Sequence, residues 1–375
     1  MPVAGTKRIM AKKKPTVVSI VGARPQFVKL AALASRLKAS FHHVIIHSGQ
    51  HYDYDMSQVF FDQLRLPPPD INLNVGSGPH GRQTARILDR CERALVSNRP
   101  DLVLIYGDTN TTLAGALAAA KLEIPVGHVE AGLRSFKPGM PEEINRRVAD
   151  HLSALLFYPT PTAHKNLLDE GITRGLINAG DVMYEILEAC LPLIKNRKPL
   201  AGGVDFRDGD YFLITLHRAE NVDDPRRLER FVDILDQIDG VKIFPAHPRV
   251  VKNLRRLGLL PRIRKIRDLI MTRPQPYLES LALISKARAA LTDSGGMQKE
   301  AYFLGCPCLT LRSETEWVET VEAGANVLVD LSPSKVARAL RHLPRKAPRL
   351  TRYRIKGKNP SEVIVEAIAA DLGKR

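Results

Sequence analysis

Residues 101–135, DLVLIYGDTNTTLAGALAAAKLEIPVGHVEAGLRS, limit the possible folds more than any other stretch. The apolar run 102–106 suits a strand buried on both faces. Gly107 and Asp108 end it, and residues 109–112 supply Thr and Asn to cap an alanine-rich helix. Residues 125–129 form a second apolar strand that stops at Glu130. The stretch reads as a β-α-β unit whose two strands each end in a carboxylate. Parallel sheets bind ligands at the carboxyl ends of their strands, so Asp108 and Glu130 are expected to share one crevice. Either acid alone would more readily be a helix cap or a solvated loop residue. Two of them at matching ends, beside Gly107 and Gly132, point to chemistry, because glycine lets a ligand approach the backbone.

The same alternation runs through the chain, and 375 residues exceed what one core usually organises, so two domains are expected. Strand 16–21 ends in Gly22-Ala23-Arg24-Pro25, followed by a helix to about residue 37. That layout offers a helix N-terminus to phosphate; Arg24 suits a diphosphate and Lys29 lies within the helix. Strand 43–47 ends in Ser48-Gly49-Gln50-His51. Helices are expected at 56–64 and 81–96. Beyond Glu130, a loop feeds a helix whose first turn carries Glu142 and Glu143, which dipole stabilisation alone would explain. A strand at 154–158 and helices at 163–170 and up to about 194 complete this half.

Residues 195–210, rich in Gly, Pro and charge, read as a linker. The second half places strand ends at His217, at His247, at Asp293-Ser294-Gly295-Gly296 and at Arg312. The glycine turn offers backbone N–H groups and a positive helix end. Glu300, one turn in, is placed to accept hydrogen bonds from vicinal hydroxyls, as on a ribose. The expected fold class is α/β, with two Rossmann-like, doubly wound domains facing each other across a cleft. The expected boundaries are a basic tail at 1–14, domains at 15–195 and 211–358 joined by a linker at 196–210, and a C-terminal helix at 359–375.

A formal net charge of +16 raises nucleic-acid binding, but no such motif accompanies it and aromatic residues make up only 6%. The charge sits in amphipathic or linker-like stretches and is read as a surface that draws in an anionic substrate. No apolar run is long enough to span a bilayer. The basic N-terminal tail has no apolar core after it, so it is not a secretory signal. The four cysteines match neither a zinc site nor a redox CxxC and are read as reduced, packed thiols of a cytoplasmic protein. Neither nucleic acid nor membrane is expected as a partner.

Nine motifs then occur in order: GARPQFVK (22–29), SGQH (48–51), GDTNTTLA (107–114), HVEAGLRS (128–135), MPEEINR (140–146), LHRAEN (216–221), AHPR (246–249), LTDSGGMQKEA (291–301) and TEWVE (315–319). Together, over about residues 16–330, the chain resembles the non-hydrolysing UDP-N-acetylglucosamine 2-epimerases. The resemblance implies a GT-B arrangement, a UDP-sugar substrate, a homodimer, and no cofactor or metal. It implies inversion at C2, interconverting UDP-GlcNAc and UDP-ManNAc by elimination of UDP to a 2-acetamidoglucal and re-addition. It places Asp108, Glu130, Glu142 and His217 at catalytic positions. Arg24, Lys29, Gln50 and His51 correspond to substrate contacts of the first domain. His247, Ser294, Gly295, Gly296, Glu300 and Arg312 correspond to groups that hold UDP. The GARPQF, GDTN and TEWVE variants resemble the branch acting on UDP-2,3-diacetamido-2,3-dideoxyglucuronate, which is the alternative substrate. A GT-B glycosyltransferase and a hydrolysing epimerase are the rival enzymes; the first would not need three carboxylates. Clustered together, Asp108, Glu130 and Glu142 are expected to repel one another, so that one of them holds a proton near neutral pH.

Overall fold

The structure, a computed structural model, describes residues 14–50, 63–64, 66–197, 200–201, 204–348 and 357–375. Apolar runs without alternation form strands covered on both faces: every residue of β1 (Thr16–Val21) and of β4 (Leu102–Tyr106) is buried. With β2 (His42–His47), β3 (Ile71–Asn72), β5 (Val126–Val129), β6 (Leu155–Tyr158) and β7 (Leu176–Asn178) they make a parallel sheet ordered β3-β2-β1-β4-β5-β6-β7. A short antiparallel pair, β8 (Leu200–Ala201) and β9 (Val204–Asp205), falls inside the expected linker.

The second sheet takes β10 (Tyr211–Thr215), β11 (Val241–Pro245), β12 (Leu269–Thr272), β13 (Ala289–Thr292), β14 (Cys308–Thr310) and β15 (Asn326–Leu328). Its order, β12-β11-β10-β13-β14-β15, is also parallel and repeats the pattern of the first. Each sheet is doubly wound, and strand order reverses between β1 and β4 in one and between β10 and β13 in the other. Those reversals open the crevices in which α/β sheets hold ligands.

One apolar cluster joins the halves. It includes Val17 and Leu37 from the first, Leu213 and Tyr277 from the second, and Ile364 and Ile368 from the last helix. That helix, Pro360–Leu372, packs back on the first half: Glu185 accepts from the Ser361 backbone N–H at 2.9 Å and hydroxyl at 2.6 Å, and Arg36 pairs with Glu362 at 2.9 Å. The strands β3, β7 and β15 were not expected; at two or three residues each they give no periodic signal. Of the expected tail, residues 1–13 lie outside the described residues, as does the expected helix 56–64 apart from its last two residues.

Candidate active site

A cavity of about 510 Å³ opens between the halves at the carboxyl ends of the strands. That size falls within the roughly 300–1,000 Å³ usual for small-molecule sites. Lys29, Gln50, Asp108, Glu130 and Glu142 line it from the first half, and His217, Ser294, Gly295 and Gly296 from the second. Arg24, His247, Glu300 and Arg312 are not among its lining residues. His51 lies outside the described residues.

The ends of β4 and β5 are tied together from below. His128 in β5 donates from Nε2 to the Gly107 carbonyl at 2.7 Å and from Nδ1 to Asp150 at 2.7 Å, with no exposure of either side chain. Burial alone would raise the Asp150 carboxyl; His128 and Arg134 outweigh it and lower it. The turn above needs its glycine. Gly107 has φ +61°, and a Cβ there would come within 2.7 Å of Lys29 Nζ. Glu130 also adopts a left-handed backbone, φ 72°, at a cost of about 1–3 kcal/mol for a side chain held in a sparsely populated region.

The expected repulsion among three carboxylates is not what the structure contains, and the reason is that each meets its own cation. Asp108 pairs with Arg146, whose other arm holds Glu143 at 3.0 Å. Glu142 pairs with Arg218 at 2.6 Å, across the boundary between halves. Glu130 meets Lys29 through Oε2 and Lys299 through Oε1, the latter at 2.8 Å. Burial would raise the Glu130 carboxyl, but the two ammonium groups win and hold it below the usual carboxylate range. Glu130 is thus ionised near neutral pH. The carboxyl pushed toward neutrality is instead Glu300, raised to about 7 by burial against the opposing pull of Arg24, Lys299 and a hydrogen bond with Tyr277.

In the second half, Asp293 at the end of β13 is fully buried and orients His217. It accepts from His217 Nδ1 at 3.0 Å, from the Arg218 backbone N–H at 2.9 Å and from Asn221 at 2.9 Å. Burial would raise its carboxyl, yet these partners drive it far below the usual range. With Nδ1 engaged, His217 is left to present Nε2 to the cavity, its side chain 42% exposed. Ser294 caps the helix Gly295–Leu304 by accepting from the Met297 N–H at 3.4 Å. Gly295 permits a close approach, since a Cβ there would lie 2.2 Å from Glu316 Oε1. His247 caps the helix Pro248–Arg256, and burial, with His217 and Arg249 nearby, lowers it to about 4. It is therefore neutral at pH 7 and not a cation, and its Nδ1 accepts from the Arg249 N–H. Arg312 is fully buried, bonded to Glu316 at 2.9 Å and Glu314 at 3.3 Å.

Sequence reasoning missed Lys299, Asp181, Arg218 and Trp317. Lys299 lines the cavity, bonds Asp181 at 2.7 Å as well as Glu130, and lies 3.8 Å from the Trp317 ring centroid. A signal existed for two of them. Lys299 follows Gly295 by four residues, which puts it on the same helix face. Asp181 stands beside a glycine just past a strand, the pattern that singled out Asp108. Among the described residues, no group of three His, Cys, Asp or Glu side chains is placed to hold a metal ion.

The sequence profile described as UDP-N-acetylglucosamine 2-epimerase matches residues 34–368. The chain is 47% identical to a UDP-N-acetylglucosamine 2-epimerase homolog of Methanococcus maripaludis, over 94% of this chain and 99% of that one. It is 44% identical to the UDP-2,3-diacetamido-2,3-dideoxy-D-glucuronate 2-epimerase of Pseudomonas aeruginosa, over 87% and 91% respectively. The crystal structure of Methanocaldococcus jannaschii UDP-GlcNAc 2-epimerase in complex with UDP-GlcNAc and UDP superposes with a TM-score of 0.88 at 40% identity, covering 95% of this chain and 99% of that one. The α/β fold with two facing Rossmann-like halves and the relatives agree: this chain belongs to the UDP-N-acetylglucosamine 2-epimerase family.

Proposed function

We propose that this protein is a non-hydrolysing UDP-sugar 2-epimerase that interconverts UDP-GlcNAc and UDP-ManNAc by elimination and re-addition of UDP. The observation that carries this reading is convergence. Carboxylates from one half and a His–Asp pair with a glycine-rich helix start from the other meet in one cavity. The C2 proton is weakly acidic, so a base must act while the C1–O bond lengthens and charge departs onto the diphosphate. Groups that stabilise this departing charge lower the barrier. The first-turn N–H groups of Gly295 and Gly296 have no acceptor within their helix and suit that role, as does His217 Nε2.

Asp108 and Glu142 each expose about a third of their side chains, 30% and 32%, and are the natural pair for proton transfer on the two faces of the glycal. Glu130, already ionised, can only accept a proton. Lys29 and Lys299, held by Glu130, add positive charge at the cavity wall. Arg24 and Glu300 face one another across the boundary, and with His247 and Arg312 they are read as the surround of UDP. Ion pairs between halves, such as Arg218–Glu142 and Lys137–Glu220, fit a cleft that closes over the glycal and keeps water out.

A second reading keeps the chemistry and changes the sugar to UDP-2,3-diacetamido-2,3-dideoxyglucuronate; the Pseudomonas aeruginosa relative favours it. Incubation in D2O with each nucleotide sugar, followed by NMR, decides. Deuterium at C2 with return of an epimerised nucleotide sugar is expected; no incorporation from either would sink both readings. Action in the cytoplasm as a homodimer belongs to the same proposal. The four buried free cysteines suit a reducing compartment, and light scattering on the purified protein tests the dimer.

A further inference from the structure

The ammonium of Lys299 belongs to the second half, whereas both carboxylates it grips belong to the first. It reaches Glu130 Oε1 at 2.8 Å and Asp181 Oδ2 at 2.7 Å, with its side chain 2% exposed. Trp317 covers another side of the ammonium, 3.8 Å from the ring centroid, as cation–π contact favours. The Glu130 carboxylate is thus held at both oxygens, Oε2 by Lys29 of its own half and Oε1 by Lys299 of the other. We propose that Lys299 is a positioning residue that fixes the orientation and ionisation of Glu130, and that it can do so only when the second half is docked on the first.

The groups around it allow a count of charge. Glu130 faces Lys29 and Lys299; Lys299 faces Glu130, Asp181 and, on its own helix, Glu300; Glu300 in turn faces Arg24 and Tyr277. With the halves docked, two lysines and the carboxylates of Glu130 and Asp181 cancel. Withdrawing Lys299 leaves Lys29 to serve Glu130 alone and leaves buried Asp181 without this cation. The Glu130 carboxylate held at both oxygens is therefore a property of the docked halves rather than of the first half alone.

The inference rests on the epimerase reading, so the experiment measures that first. Wild-type exchange at C2 of UDP-GlcNAc in D2O is followed across pH, beside K299M, K299R, E130Q and the double variant E130Q/K299M. K299M is expected to lower kcat about 100-fold, as small misplacements of catalytic groups do, with KM much less affected. Its acid limb should move up by roughly 1 pH unit, because Glu130 has lost one of two cations. K299R keeps the charge, so its acid limb should stay where the wild type has it even if kcat falls. Adding K299M to E130Q should cost little more, because the partner is already gone. An unmoved limb in K299M, a shifted limb in K299R, or effects of K299M and E130Q that simply multiply would each overturn the proposal. If K299M does not fold, the K299R limb decides. Wild-type protein that exchanges no C2 hydrogen would sink the epimerase reading, and Lys299 with it; wild-type exchange with an unimpaired K299M would sink only Lys299.

Discussion

The two halves share one strand order, yet the acids at their equivalent strand ends have opposite fates. Asp108 follows β4 and Asp293 follows β13, each on the strand beside the reversal of its sheet. Asp108 reaches into the cavity with 30% of its side chain exposed and pairs with Arg146. Asp293 has no exposure; it turns inward, collects two backbone N–H groups and Asn221, and hands the cavity to His217. The difference lies in the turns that follow β10 and β1. Past β10, His217 and Arg218 point backbone N–H groups at Asp293, while past β1 the N–H groups of Gly22 and Ala23 go to Gln26 Oε1. A carboxylate that accepts several N–H bonds becomes a structural anion; one left partly in water stays available for proton transfer. One topology thus supplies a partly exposed carboxylate from one half and an oriented imidazole from the other.

The contrast predicts two different kinds of loss. Asp108→Asn should lower C2 exchange by about 10³- to 10⁴-fold, the upper range for a lost acid–base group. Its thermal midpoint should stay close to wild type and UDP should still bind, because the site is partly solvated. Wild-type exchange in this variant would end the assignment. Asp293→Asn should lower kcat by a further-reaching route, through a misoriented His217. It should also cost about 1–3 kcal/mol in denaturant unfolding, because the amide cannot accept from all the buried donors that Asp293 satisfies. Unchanged stability in Asp293→Asn would break the comparison, since the two acids would then be alike.

Much of this was legible in the sequence because it is local. Apolar runs that stop at Gly107-Asp108, at Glu130 and at Asp293-Ser294-Gly295-Gly296 announce both strand and strand end, and parallel topology does the rest. Nine of the expected residues therefore came together at one cavity. What the sequence withheld is pairing across distance. Nothing near residue 130 shows that Lys299 will reach it from 169 positions away, or that Arg218 will meet Glu142. Without those cations, three acids could only be read as repelling one another. The inward turn of Asp293 was hidden for the same reason, since its donors sit 72 to 76 residues earlier.

The remaining tests use two groups whose titration runs in opposite directions. Glu300 is raised from an ordinary value of 4.5 to about 7 by burial. The folded protein then holds a proton that the unfolded chain releases, so this contribution to stability is full below about pH 4.5 and is lost as pH rises through 7. Glu300→Gln should flatten that slope and gain about 3 kcal/mol relative to wild type at pH 8 compared with pH 4.5. Equal slopes in the two proteins would show that Glu300 is not buried as described.

His247 is the weaker case. It is lowered from 6.5 to about 4, chiefly by burial, so the unfolded chain takes up a proton that the folded one refuses. Its cost to stability is absent above about pH 6.5 and grows as pH falls toward 4. His247→Asn, which keeps a side-chain acceptor for the Arg249 N–H, should remove this part of the acid slope while changing stability at pH 7.5 by only about 0.5 kcal/mol. Because the ring is partly open to solvent, the effect should be smaller than that of Glu300. UDP affinity sharpens the point further. On the proposed reading of His247 as a neighbour of UDP, a neutral ring brings no charge, so affinity measured calorimetrically in wild type should show no inflection near pH 6.5 that His247→Asn abolishes. Such an inflection would mean that the second half holds its histidine as a cation after all, and that charge, rather than the helix start, grips the diphosphate.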